Sequence, residues 1–164
     1  MNENLSKLLE SSINNVTKEY KKVIFVCIGT DRCTGDCYGP MVGTFLKKQG
    51  FNVYGTIENP VHALNMEIIF KNMDMENNLI VAVDACQGED IGELKISNEP
   101  VCPGKAFDKD LPKVGDVSIK GSLCNEPRSI FNVRLNDVFN LAKTTTQAIC
   151  NVFLKEYQPI ESLI

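Results

Sequence analysis

Among its 164 residues the chain has one histidine, no tryptophan and no apolar run long enough to span a bilayer. A membrane-crossing helix needs about 20 consecutive apolar residues, so no membrane partner is expected. The opening MNENLSKLLESSINNVTKEYKK lacks the basic start and continuous apolar core of a signal peptide, and export is not expected. Lysines are dispersed and the net charge is −4. Without a basic stripe there is no footprint for a phosphate backbone, which argues against nucleic-acid binding. The segment Gly29 to Gly35 departs from a phosphate-binding loop by one residue in its glycine spacing and lacks the Lys-Ser/Thr pair. A nucleotide site is therefore excluded.

What remains has an ordinary globular composition, with 43% hydrophobic and 23% charged residues. A chain of this length buries roughly two-thirds of its unfolded surface around one core, so one domain over 1–164 is expected. The seven cysteines are odd in number, and Cys27, Cys86 and Cys150 lie within apolar runs. Thiols so placed are expected to be reduced and to put the chain in the cytoplasm.

Hydrophobic spacing supplies the elements. Leu5, Leu8, Leu9, Ile13 and Val16 fall on one face of an amphipathic helix. Val23 to Gly29 (VIFVCIG) and Leu79 to Cys86 (LIVAVDAC) are unbroken β-rich runs, as in strands buried on both faces. A polar loop, Thr30 to Pro40, precedes a helix bearing Met41, Val42, Phe45 and Leu46 and ending at Gly50. Phe51 to Thr56 reads as a short strand, and Ala63 to Asn72 as a helix carrying Leu64, Ile68 and Ile69. Such alternation predicts an α/β fold with a mainly parallel sheet covered on both sides. Gly92 to Ile96 and Asp116 to Ile119 read as hairpin or edge strands, and one long or broken helix is expected from about Arg128 to Tyr157.

Ligands of open parallel sheets gather at the carboxyl ends of the strands, where loops and helix starts converge. Asp36, in GTDRCTGDCYGP, follows the first buried strand, and Asp84 interrupts the end of LIVAVDAC. Two carboxylates at one rim share a proton, so that one activates water while the other protonates the departing group. The plainer roles are a helix cap for Asp36 and a backbone hydrogen bond at the strand end for Asp84. Asp31 is a third acid in the same loop, able to orient Asp36 or simply to face water. Cys33, Cys37 and Cys86 lie beside these segments without a zinc-binding spacing. His62 could complete an Asp–Asp–His metal site or serve at the surface. Lys105, Lys109 and Lys113 could meet a substrate carboxylate or stay solvated.

VCIGTDRCTGDCYGP, VAVDAC and PGKAFDKDLPKVGDVSIKG together resemble the YyaC-type sporulation proteins, within the superfamily of germination protease and hydrogenase-maturation endopeptidases. The resemblance covers nearly the whole chain. It implies a three-layer α/β/α fold of the phosphorylase/hydrolase type. Asp36 and Asp84 match the two acids of the germination protease pattern, an aspartic-type dyad acting on small acid-soluble spore proteins. Protein or peptide substrates in the forespore or mother cell follow from the same resemblance. In the maturation endopeptidases the corresponding acids join a histidine to bind the nickel of their substrate. Here no histidine follows the fourth strand-like segment, and His62 precedes Asp84.

The expectation is an endopeptidase using Asp36 and Asp84, supported by Asp31, with no cofactor and no metal. Two alternatives stand beside it: a catalytically silent binding protein of the developing spore, and a divalent-metal-dependent endopeptidase. Substrate, cleavage site and oligomeric state are not fixed by the sequence.

Overall fold

The computed structural model describes residues 2–103 and 111–154. Its elements are α1 (Asn2–Asn14), β1 (Lys22–Cys27), α2 (Tyr38–Lys48), β2 (Asn52–Tyr54), α3 (Met66–Lys71), β3 (Asn78–Gln87), β4 (Leu94–Ser97), β5 (Val117–Cys124) and α4 (Leu135–Phe153). Two 3-10 turns, Gly35–Cys37 and Pro127–Asn132, precede α2 and α4.

The five strands form one sheet in the order β2-β1-β3-β5-β4. All neighbours run parallel except β4, which pairs antiparallel with β5. The expected mainly parallel α/β sheet is present. Its central strands bury both faces: Phe25, Val81, Val83 and Ile119 pack with α1, α2 and α4, while Val26, Ile80 and Ala82 pack with α3 and the strands' connecting loops. Phe25 meets the rings of Phe51 and Phe153 edge-on, at 5.2 and 5.8 Å. This arrangement suits the ring quadrupoles.

Helix α2 can lie close on the sheet because it presents glycines there. A Cβ on Gly39 would fall 2.0 Å from the Ile28 carbonyl oxygen, and one on Gly43 1.9 Å from that of Gly55. Any larger residue would push the helix away from the strand ends. At the start of α2, Tyr38 donates its buried hydroxyl to Thr145 Oγ1 on α4 at 2.8 Å, since the Thr145 hydroxyl is itself committed to the Leu141 carbonyl.

Three expectations change. The piece Gly92 to Ile96 supplies the edge strand β4, which pairs antiparallel with β5 as expected of a hairpin, but Asp116 to Ile119 is not an edge piece: its strand runs on to Cys124 between β4 and β3, parallel to β3. The polar residues Ser118, Lys120 and Ser122 obscure it, because they share one face and alternate with apolar residues on the other. Helix α3 starts at Met66 rather than Ala63, and Leu64 and Ile68 are 87% and 67% exposed instead of packed. The last helix starts at Leu135, after a 3-10 turn, and its predicted end at Tyr157 lies outside the described residues, as do Lys105 and Lys109. Among the described residues no helix is long and apolar enough to cross a membrane.

Candidate active site

The carboxyl ends of β1 and β3 are locked in register. Cys27 faces Val83 in the ladder, and Ile28 N–H donates to the Val83 carbonyl at 2.8 Å. The chain then turns at Gly29, whose φ of +138° and whose 2.0 Å approach of a would-be Cβ to the Asp36 carbonyl both require glycine. Thr30 N–H donates to the Asp36 carbonyl at 3.2 Å, closing the loop so that Asp36 returns to the strand end it left. Asp84 is the next residue of β3 after Val83. Strand register and loop closure together bring the two acids to one rim.

Both aspartates are half-buried, so water can reach them. Burial raises the Asp36 carboxyl above its ordinary range, while the Thr30 N–H and the His62 imidazole hold it down. Asp84 is driven well above the usual carboxylate range, first by burial and then by the negative charge of Asp36. The Ala85 N–H and the Lys120 ammonium oppose that rise. Two like charges kept in a poorly solvated place cannot both ionise freely, and the upward shift is the larger at Asp84.

Neither plain role of these acids is complete. The N-cap of α2 is Cys37, with no side-chain cap bond, so Asp36 is not the cap of that helix. Asp84 does receive its own strand-end hydrogen bond from Ala85, but its charge still faces Asp36. Asp31 is exposed on the outer side of the loop, and its charge acts on Cys37.

The thiols nearby are kept quiet. Burial, reinforced by Asp31 and Asp36, raises Cys37, and burial raises Cys86 against the pull of Lys95. A raised thiol is a poor nucleophile and a poor metal ligand. Cys33 instead donates to the Ile130 carbonyl at 3.6 Å, tying the loop to the turn before α4. All seven cysteines are free. Among the described residues no three His, Cys, Asp or Glu side chains are grouped closely enough to hold a metal ion.

His62 sits just past Val61, which bridges to Ile28 and accepts the Gly29 N–H at 2.9 Å. It lines a cleft of about 400 Å³ between the end of β2 and the start of α3, together with Tyr54, Thr56, Glu58, Asn65 and Ile69. Lys120 and Thr30 did not stand out in the sequence. Lys120 falls on the polar positions of VSIKGSLC, in step with Ser118 and Ser122, and so reads as an ordinary solvent-facing residue. Thr30 acts through its backbone, which leaves no trace in residue type. Lys113 is exposed.

A mainly parallel sheet flanked by helices, with polar loops at its carboxyl rim, is the fold of the hydrogenase maturation proteases. The chain aligns with the [NiFe] hydrogenase maturation protease HycI from Thermococcus kodakarensis KOD1 at a TM-score of 0.58 and 19% identity, covering 88% of this chain and 97% of that one. HybD from Thermococcus kodakarensis aligns at a TM-score of 0.48 and 13% identity, over 83% and 100% of the two chains. Residues 1–148 match the family described as "Protein of unknown function (DUF1256)", and the chain belongs to that family. It is 39% identical to the "Uncharacterized protein YyaC" of Bacillus subtilis (strain 168), covering 88% of this chain and 75% of the relative. The YyaC-type resemblance read from the motifs thus holds.

Proposed function

We propose that this protein is a peptidase-type hydrolase of spore formation, in which Asp36 is the base and Asp84 the acid. The observation that carries the reading is the unequal pair: burial raises both carboxyls, but at Asp36 an N–H and an imidazole oppose the rise, while Asp84 is driven well above the usual range by burial and by Asp36 itself. Pairs of acids whose environments drive them apart divide the roles of base and acid in hydrolysis.

The step follows. Asp36 takes one proton from water as the water oxygen bonds to the peptide carbonyl carbon, and Asp84 gives its proton to the carbonyl oxygen. The resulting diol collapses as the C–N bond breaks: Asp36 returns its proton to the nitrogen, and one hydroxyl proton goes back to Asp84. A carboxylic acid and an amine leave, and the pair is restored. Protein or peptide substrates are supported by the maturation-protease fold, and small spore proteins are the first to try because of the motif resemblance to the germination protease.

The test is mass spectrometry of small spore proteins incubated with wild type, Asp36→Asn and Asp84→Asn, each with and without chelator. Defined cleavage, lost in both variants and indifferent to chelator, is expected. Loss with chelator alone would transfer the chemistry to a metal. If wild type cleaves nothing while capturing a spore protein, the chain works as a binding protein on a peptidase fold.

A further inference from the structure

The row that begins with Asp84 continues across the sheet. Lys120 on β5 is the ladder partner of Asp84 on one side and of Lys95 on β4 on the other, so the three side chains stand on one face near the carboxyl end of β3. Two lysines set directly opposite one another repel, and such a pair is unfavourable in a sheet. Lys95 could be explained as the lysine that keeps an edge strand from pairing with another chain. Lys120, half-buried on an inner strand, cannot. Nor is either ammonium spent inside the fold, since among the described residues neither makes an ion pair or a hydrogen bond.

The next row holds a further polar group. Ser122, the ladder partner of Cys86, is fully buried, and its Oγ has no hydrogen-bond partner among the described residues. A buried hydroxyl left in that state is costly. It is turned to Gly88, just past the end of β3: a Cβ on Gly88 would fall 2.5 Å from the Ser122 Oγ and 3.7 Å from Lys95 Nζ. The Lys95 ammonium therefore bends toward the strand ends instead of away from the sheet edge. The segment from Gly88 to Glu93 crosses the end of β5, with the Gly88 N–H on the Cys124 carbonyl at 2.9 Å and the Gly92 N–H on that of Ser122 at 2.7 Å. It bounds a polar corner that holds two cations and a buried hydroxyl beside the proposed acid.

We propose that Lys95 and Lys120 form a carboxylate seat, the subsite that anchors the substrate peptide next to the dyad. The inference rests on the hydrolase reading and deepens it. A carboxylate between the two ammoniums replaces their repulsion with charge-assisted hydrogen bonds. Neighbouring strands lie about 5 Å apart, so a carboxylate held there is about 5–10 Å from Asp84, the reach of about one to three extended residues. The bond to be cut thus lies within about three residues of a carboxylate, supplied by the end of the substrate chain or by an acidic side chain.

The experiment uses the full chain, labelled with ¹³C at lysine and ¹⁵N at the backbone, as wild type, Lys95→Met and Lys95→Arg. The probes are acetyl-trialanine, its C-terminal amide, and acetyl-Ala-Glu-Ala amide. The Cε signal missing from Lys95→Met identifies Lys95. In wild type that signal and the Gly88 amide should shift with a carboxylate probe and not with the neutral amide. A response to acetyl-trialanine assigns the chain end, and one to the glutamyl probe assigns an acidic side chain. Followed at Gly88, Lys95→Met should bind the responding probe about tenfold more weakly, and Lys95→Arg should keep most of the affinity. Signals that ignore both carboxylates, that shift equally with the neutral amide, or that report the same affinity in Lys95→Met would overturn the proposal.

On a peptide that wild type cleaves, Lys95→Met should raise KM about tenfold, and removing the carboxylate from the peptide should raise it little further in that variant. A fall in kcat with KM unmoved would contradict the seat. If wild type cleaves nothing, the hydrolase reading fails, while the probe titrations still decide whether this corner holds a carboxylate.

Discussion

Asp84 on β3 and Lys120 on β5 are direct partners in the parallel ladder, so an acid and a cation stand side by side on one face of the sheet at its carboxyl end. The ammonium favours the ionised form of Asp84 and works against the burial and the Asp36 charge that keep it protonated. The pair sets where the acid of the proposed reaction stops being an acid.

Removing that cation should therefore extend activity to higher pH. In Lys120→Met, Asp84 keeps its proton longer, and the alkaline limb of the pH–rate profile is expected to move upward while the acidic limb, set by Asp36, stays in place. A limb that did not move would separate Lys120 from the chemistry.

Asp84 should also be a load on the fold. Its folded carboxyl titrates above the unfolded one, so the native state binds more protons between those two points and stability falls as pH rises through that window. Below the unfolded value the load vanishes. Asp84→Asn, which cannot ionise, is expected to be more stable than wild type at neutral pH by on the order of 1 kcal/mol, to lose that advantage in acid, and to be inactive. Urea unfolding at both pH values measures the difference.

Close approach of α2 to β1 and β2 makes a second class of prediction. Gly43→Ala would put a methyl 1.9 Å from the Gly55 carbonyl oxygen, which nothing short of moving the helix relieves. A loss of about 1–3 kcal/mol is expected from thermal or urea unfolding. Activity should fall with it, since α2 follows directly on the turn that holds Asp36.

Another acid, Asp116, does structural work at the opposite end of the strands. Its Oδ2 accepts the Ile80 N–H at 2.8 Å and pairs with Lys18 at 2.6 Å, while Lys18 also donates to the Met75 carbonyl. Asp116→Ala leaves a half-buried N–H without its acceptor and should cost about 1–3 kcal/mol with kcat unchanged. Asp116→Asn, which keeps an acceptor oxygen, should cost less.

The parts of this fold that were legible in the sequence are those where burial is two-sided and continuous. VIFVCIG and LIVAVDAC could hardly be anything but inner strands, and their ends pointed to Asp36 and Asp84. β5 was harder, because its alternation of Ser118, Lys120 and Ser122 with apolar residues imitates a strand with one face in water. In the structure Ser118 and Ser122 are fully buried on that face. The start of α3 was misplaced because Ala63 and Leu64 continue a helical spacing, yet the His62 segment is spent on bonds to Asn65 and Leu64 and delays the helix to Met66. Partners that act through the backbone, such as Thr30 and Ala85, cannot be read from residue type at all. The unequal electrostatics of the two aspartates depend on those partners, and so lay beyond the sequence.

The central claim is that Asp36 and Asp84 hold one proton between them. ¹³C titration of the two side-chain carboxyls in wild type and in Asp36→Asn tests it most directly. Asp84 is predicted to stay protonated well above the ordinary carboxylate range in wild type and to titrate at lower pH once the Asp36 charge is gone. Two aspartates titrating independently in the ordinary range, with Asp84 indifferent to Asp36→Asn, would contradict the dyad.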